Sequence, residues 1–122
     1  METEKNAKEV VMSCVKALNE ENFELAKRYV SDNISFVGVM GSRQGAQAYF
    51  DDMERMRLKY DVKKAFVDGR DVCLLYDLTI SDVTVFGYAW YQVEGGKIQS
   101  LRVVFDPRPI LEARSKLARK PA

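Results

Sequence analysis

VTVFGYAWYQVEGGKIQSLRVVFDP, residues 83–107, holds two strand-length runs hinged at Gly95-Gly96 and stopped by Phe105-Asp106-Pro107. Paired glycines supply the positive-φ positions that a tight hairpin needs, and Pro107 and Pro109 cannot continue a hydrogen-bonded ladder. The first run is apolar on both parities, with Val85, Gly87, Ala89 and Tyr91 on one face and Phe86, Tyr88 and Trp90 on the other. A strand apolar on both faces needs cover on both. The small residues suit a crowded interior, which leaves the aromatic row as the centre of a contact surface.

The pattern continues upstream. Val72, Leu74, Tyr76, Leu78 and Ile80 share one parity of a strand over Asp71–Ile80, opposite Cys73, Leu75, Asp77 and Thr79, and the first set is the better lining for a concave core. Another strand is predicted over Asp61–Val67, and Asp68-Gly69 and Ser81-Asp82 are the turns. The second half of the chain thus reads as a four-stranded antiparallel meander.

The first half is mainly helical. Asn6 and Glu9 have the spacing of a capping box, and Val10, Val11, Cys14 and Leu18 follow at helical intervals. A second helix is expected from Asn22 to about Ser31-Asp32-Asn33, with Phe23, Ala26 and Tyr29 or Val30 inward. Ile34 to Met40 alternates as a strand ending at Gly41-Ser42. A third helix over Gly45–Lys59 carries Ala46, Tyr49, Phe50, Met53 and Met56 on one face, with Asp51, Asp52, Glu54 and Arg55 mostly on the other. Ile110 to Ala122 reads as a short amphipathic helix with Leu111 and Leu117 on one side. Its basic residues, Arg108, Arg114, Lys116, Arg119 and Lys120, face one acid, Glu112.

Composition narrows the chemistry. A chain of 122 residues, 47% apolar and 30% charged, has the size and balance of one globular domain with one core. A net charge of +1 provides no global attraction for nucleic acid or an anionic membrane. No apolar run approaches a membrane span, and Met1 to Glu9 is charged where a signal peptide is apolar, so the expected compartment is the cytoplasm. Cys14 and Cys73 sit in separate apolar segments and are expected to be buried, reduced thiols. The sequence contains no histidine, which removes Ser-His and Cys-His nucleophile pairs and the commonest zinc ligand. No metal or cofactor is expected. Gly38, Gly41 and Gly45 lack the spacing of a phosphate loop.

Two helices, a strand, a third helix and a four-stranded meander, together with ALNEENFELAKRYVSDNISFVGVMGS (17–42) and YAWYQVEGGKIQSLRVVFDPRPI (88–110), resemble the SnoaL-like branch of the nuclear transport factor 2-like superfamily. That branch includes ketosteroid isomerases, polyketide cyclases and limonene epoxide hydrolase. The resemblance implies an α+β, cystatin-like fold: a cone-shaped, curved antiparallel sheet wrapped round three helices from the N-terminal half, with a pocket on its concave face. It covers about residues 7–111 of a single domain over 1–122, leaving 112–122 as a basic tail. It also implies a homodimer paired through the outer face of the sheet, where Phe86, Tyr88 and Trp90 lie.

Aligned by its motifs, the chain departs from the family chemistry. The isomerase base falls on Gly38, its second acid on Ala89 and the epoxide hydrolase aspartate on Val103, while the cyclase histidine has no counterpart. The candidate ligand-binding residues are Phe36, Tyr49, Met53, Tyr76, Tyr91, Phe105 and Asp106, and no catalytic residue is assigned. Asp106 has two readings, since an aspartate before proline also fixes turns by accepting backbone or arginine hydrogen bonds. Three functions stay open. The chain binds a small apolar or aromatic molecule without the usual acids, or acts as an isomerase, cyclase or hydratase through an unfamiliar Tyr/Asp arrangement, or serves as a dimeric interaction module.

Overall fold

In the computed structural model, which describes residues 6–119, the elements run α1 (Ala7–Asn19), α2 (Phe23–Lys27), β1 (Val30–Gly38), β2 (Gly41–Gln44), α3 (Ala46–Met56), β3 (Lys59–Asp68), β4 (Asp71–Ile80), β5 (Val83–Glu94), β6 (Lys97–Phe105) and α4 (Arg108–Arg119). The strands form one curved, unclosed sheet in the order β2-β1-β6-β5-β4-β3. All neighbours are antiparallel except β1 and β6, which run parallel.

The sheet bends because its ladders slip. Lys63 is an extra residue in β3 between Val62 and Lys64, Gln99 is extra in β6 opposite Gln92 and Val93, and β1 shifts register against β6 between Val30 and Ser35. Each bulge adds local twist and curls the strand. Helix α1 packs against β3, β4, β5 and β6, and α3 packs against β1 and β2. The concave parity of β4 is buried throughout, from Val72 to Ile80, and meets Val85, Ala89, Tyr91 and Val93 of β5 in one core with Val10, Val11, Cys14, Ile34 and Phe50.

Local chemistry places the ends of the elements. Glu9 N–H donates to Asn6 Oδ1 at 2.8 Å while Asn6 N–H donates to Glu9 Oε1 at 3.0 Å, the reciprocal box that starts α1. Asn19 then clamps β3 to the far end of α1: its side chain accepts from Tyr60 N–H at 2.7 Å and donates to the Tyr60 carbonyl at 2.9 Å. At the β4–β5 hairpin, Ser81 takes φ 55° with Ile80 paired to Val83.

Four expectations need correction. Helix α2 has five residues and the sheet begins at Val30, because Ile98 N–H donates to the Tyr29 carbonyl at 2.8 Å and draws the chain into the ladder. Non-local pairing there outweighs a helical pattern of modest propensity. Helix α3 ends at Met56 rather than near Lys59, with Arg57 in the left-handed region at φ 51°. Gly41–Gln44 is a sixth strand, turning back on β1 with Gly38 opposite Gly41. Cys73 is only partly buried, on the outer face, whereas Cys14 is fully buried; both thiols are free. The expected basic tail is helical as far as Arg119; Lys120 and the side chains of Leu117 and Arg119 lie outside the described residues.

Candidate functional site: a phenol-lined cone

Between the concave face, α3 and α4 lies a cavity of about 220 Å³. Register dictates its walls. Inward parity on β4 supplies Tyr76, Leu78 and Ile80; the same parity on β5 and β6 supplies Tyr91, Leu101, Val103 and Phe105, and α3 contributes Tyr49, Met53 and Met56 one turn apart. Phe36 closes the β1 side, with its ring 5.6 Å from that of Tyr49. Six of the seven residues expected around a ligand, Phe36, Tyr49, Met53, Tyr76, Tyr91 and Phe105, therefore line one cavity.

Asp106 does not join them. Its carboxylate accepts from the Arg108 backbone N–H at 3.0 Å and from the Arg108 guanidinium at 2.7 to 3.1 Å. It thus caps the start of α4 at the surface. Those hydrogen bonds hold its carboxyl down at about 2, so it stays ionised and engaged. Of the two readings of the Asp-Pro pair, the turn-fixing one describes its position.

The polar groups of the interior are phenols. Tyr49, Tyr60, Tyr76 and Tyr91 all face the cavity, and Tyr60 stacks edge-on against Tyr76 at 5.2 Å and 82°. The Tyr60 hydroxyl lies 3.9 Å from Met53 Sδ. Among the described residues no sealed side-chain oxygen or nitrogen lacks a partner, and the Tyr49, Tyr76 and Tyr91 hydroxyls make no hydrogen bond to another described residue, which leaves them available to the cavity they line. Burial, first of all, pushes the pKa of each of the four upward, with smaller contributions from neighbouring phenols and thiols. They are neutral donors at any physiological pH.

Among the described residues, charged side chains meet the cavity at its mouth. The β1–β2 turn, with Val39 and Met40 exposed, forms one lip. Arg43 sits opposite Phe36 in the β1–β2 ladder, hence on the concave side. Asp52 accepts from Arg43 Nε at 2.9 Å and from Arg55 Nη2 at 2.6 Å, and Arg114 of α4 completes the rim. Asp52 is therefore not the freely solvated charge that its place on the polar face of α3 suggested; its side chain is 18% exposed.

Sequence reasoning missed Tyr60 and the rim. Tyr60 lies one residue before the expected start of β3, although its alternation with Val62 was a usable signal. Arg43 was hidden because Gly41–Gln44 has no apolar residue to mark a strand. Arg114 takes its role from the way α4 folds back, which no local pattern encodes.

The positions aligned with family acids are equally plain in space. Gly38 and Val103 border the cavity without an ionisable group. Ala89 is fully buried between Leu74 and Val103 on neighbouring strands, beneath the lining.

Residues 11–101 match the family model described as SnoaL-like domain. An NTF2-like protein of unknown function from Cytophaga hutchinsonii is 43% identical, with a TM-score of 0.88 over 91% of this chain and 99% of that one. A protein from Kribbella flavida is 26% identical over 91% of this chain and 95% of that one, with a TM-score of 0.81. An LEH-like epoxide hydrolase from M. tuberculosis shares the fold, with a TM-score of 0.71 and 22% identity over 92% of this chain and 94% of that one. No curated protein matches the chain. The matched residues carry β1, β5 and the first part of β6, strands that shape the cone: this chain belongs to the SnoaL-like domain family of the nuclear transport factor 2-like superfamily.

Proposed function

We propose that this protein binds a small apolar or aromatic molecule in the cone, held by burial and oriented by neutral phenols, without the acids that related isomerases and hydrolases use. The observation that carries the reading is the lining itself: an apolar cavity whose inward polar groups are tyrosine hydroxyls, with Gly38, Ala89 and Val103 where those acids align. At about 220 Å³ the cavity is below the roughly 300–1,000 Å³ of common ligand pockets. That size favours one ring or a short chain over a fused polycycle.

A second reading uses the same phenols catalytically. Neutral hydroxyls converging on one space suit a developing oxyanion in an isomerisation, cyclisation or hydration. Among the described residues the lining contains one carboxylate, Asp52, and two arginines hold it at the rim. With no base among the described residues of the interior, binding is the better-supported function.

The compartment we propose is the cytoplasm, which suits two free thiols; among the described residues no helix is long and apolar enough to cross a membrane. We further propose that two copies pair through the outer face. Phe86, Tyr88 and Trp90 are 58%, 45% and 45% exposed there, and the pairings Cys73↔Trp90 and Phe66↔Cys73 extend the row to Phe66. Trp90 Nε1–H donates to Asp71 Oδ1 at 2.8 Å, so the largest ring is held in place as an interface anchor would be. The described part of α4 leaves this row uncovered.

Thermal-shift screening of small aromatic carbonyl compounds, acetophenone among them, tests the binding reading. Stabilisation that weakens in Tyr76→Phe and persists in Asp106→Asn is expected. A panel with no stabilising compound counts against it.

A further inference from the structure

Among the described residues the rim of the cone carries three arginines, Arg43, Arg55 and Arg114, and one aspartate, Asp52. Asp52 uses one oxygen on each of Arg43 and Arg55. Neither guanidinium is saturated, because each has five N–H donors. Both reach solvent, with side chains 46% and 63% exposed. Arg114 lines the same opening from α4 and forms no ion pair among the described residues. The entrance is therefore positive and rich in unspent donors, while the interior is apolar and uncharged. From these observations we propose that the ligand class is a small amphipathic anion: a carboxylate on an aromatic or short aliphatic body, with the body in the cone and the carboxylate at the arginine collar. This inference rests on the apolar-pocket reading and adds the charge of the ligand to it.

The two halves of the site require opposite ends of such a molecule. A carboxylate in the interior would lose its hydration with only neutral donors to replace it. At the collar it stays partly hydrated and gains charge-assisted, planar hydrogen bonds from guanidinium. The four phenol rings alone would also suit a cationic headgroup, but a cation would have to pass and sit beside three arginines. Asp52 holds two of those arginines over the opening and leaves their remaining donors available. The collar and lining together favour an acid over its amide, alcohol or amine analogue.

Calorimetric titration of phenylacetate and phenylacetamide, two probes of one shape and different charge, separates the contributions. At low ionic strength phenylacetate is expected to bind about fivefold more tightly, a modest factor because the arginines are solvent-exposed. The gap should close as salt is added, a measurement that needs no variant. In Arg43→Gln/Arg55→Gln/Arg114→Gln the preference should vanish and the two compounds should bind alike. Equal binding to the natural protein, a preference indifferent to salt, or binding of acetophenone with neither probe would overturn the collar and leave the apolar pocket standing. If acetophenone also fails to bind, the apolar-pocket reading falls with it.

Discussion

Tyr76 offers the sharpest separation between a ring that supports the fold and a hydroxyl that serves a ligand. It is 1% exposed, packs edge-on against Tyr60 and lines the cavity, and its hydroxyl makes no hydrogen bond to another described residue. Tyr76→Phe keeps the ring and removes no intramolecular hydrogen bond. Its effect on unfolding free energy should stay within about 0.5 kcal/mol. Tyr76→Ala removes the ring and opens a hole beside Leu78 and Tyr91, which costs about 3–5 kcal/mol out of the 5–15 kcal/mol typical of a domain. Urea unfolding reads both. With an m-value of about 1.5 kcal/mol/M, the alanine variant should lose about 2–3 M in midpoint and the phenylalanine variant almost nothing, at unchanged m. A loss above about 1.5 kcal/mol in Tyr76→Phe would mean that the hydroxyl is anchored within the protein, refuting its assignment to the cavity.

Other expectations follow from the same geometry. In Gly87→Ala the new Cβ would sit 2.6 Å from the Val104 carbonyl oxygen and 2.8 Å from Phe105 Cβ; backbone cannot yield cheaply there, so thermal or urea melts should show a loss of about 1–3 kcal/mol. Gly38→Ala presses on the tip of the Phe36 ring, at 2.9 Å, and just reaches the Gly41 carbonyl oxygen at 3.4 Å, so it should leave those melts nearly unchanged while weakening binding of acetophenone as the ring moves. The buried phenols and Cys14, whose thiol burial raises to about 12, have folded pKa values above their unfolded ones. Their contribution to stability is therefore complete below about pH 8.5 for the thiol and 10 for the phenols, and declines as pH rises toward the folded values; phenolate absorbance from these tyrosines should develop together with loss of circular dichroism. Trp90→Glu should lower the mass read by light scattering from that of a dimer to that of a monomer while the protein remains folded; an unchanged dimeric mass would remove the outer-face pairing.

How far the fold could be read in advance depended on whether a segment's pattern was local. The concave face of β4 was legible because Val72, Leu74, Tyr76, Leu78 and Ile80 alternate over a full strand, and a period of two admits one face. The β5–β6 hairpin was legible because Gly95 and Gly96 take φ 61° and 74°, conformations that glycine alone adopts without cost. Features set by distant partners were not. Val30 joins the sheet because Ile98 and Tyr29 meet, and β2 exists because Gly38 and Gly41 let an all-polar segment turn back on β1. The site divides in the same way. Its tyrosines follow from strand and helix parity, whereas Asp106 is taken by Arg108 two residues on, and the arginine rim assembles from β2, α3 and α4 only when the chain folds.

If the cone takes up a small apolar or aromatic molecule, filling it with a side chain should abolish binding. Val103→Trp places a larger side chain in the lining without touching the rim. Calorimetry with acetophenone should give a saturable heat with the natural protein and none with folded Val103→Trp. Equal heats from the two proteins, or none from either, would mean that the cone is not a binding site for such a molecule.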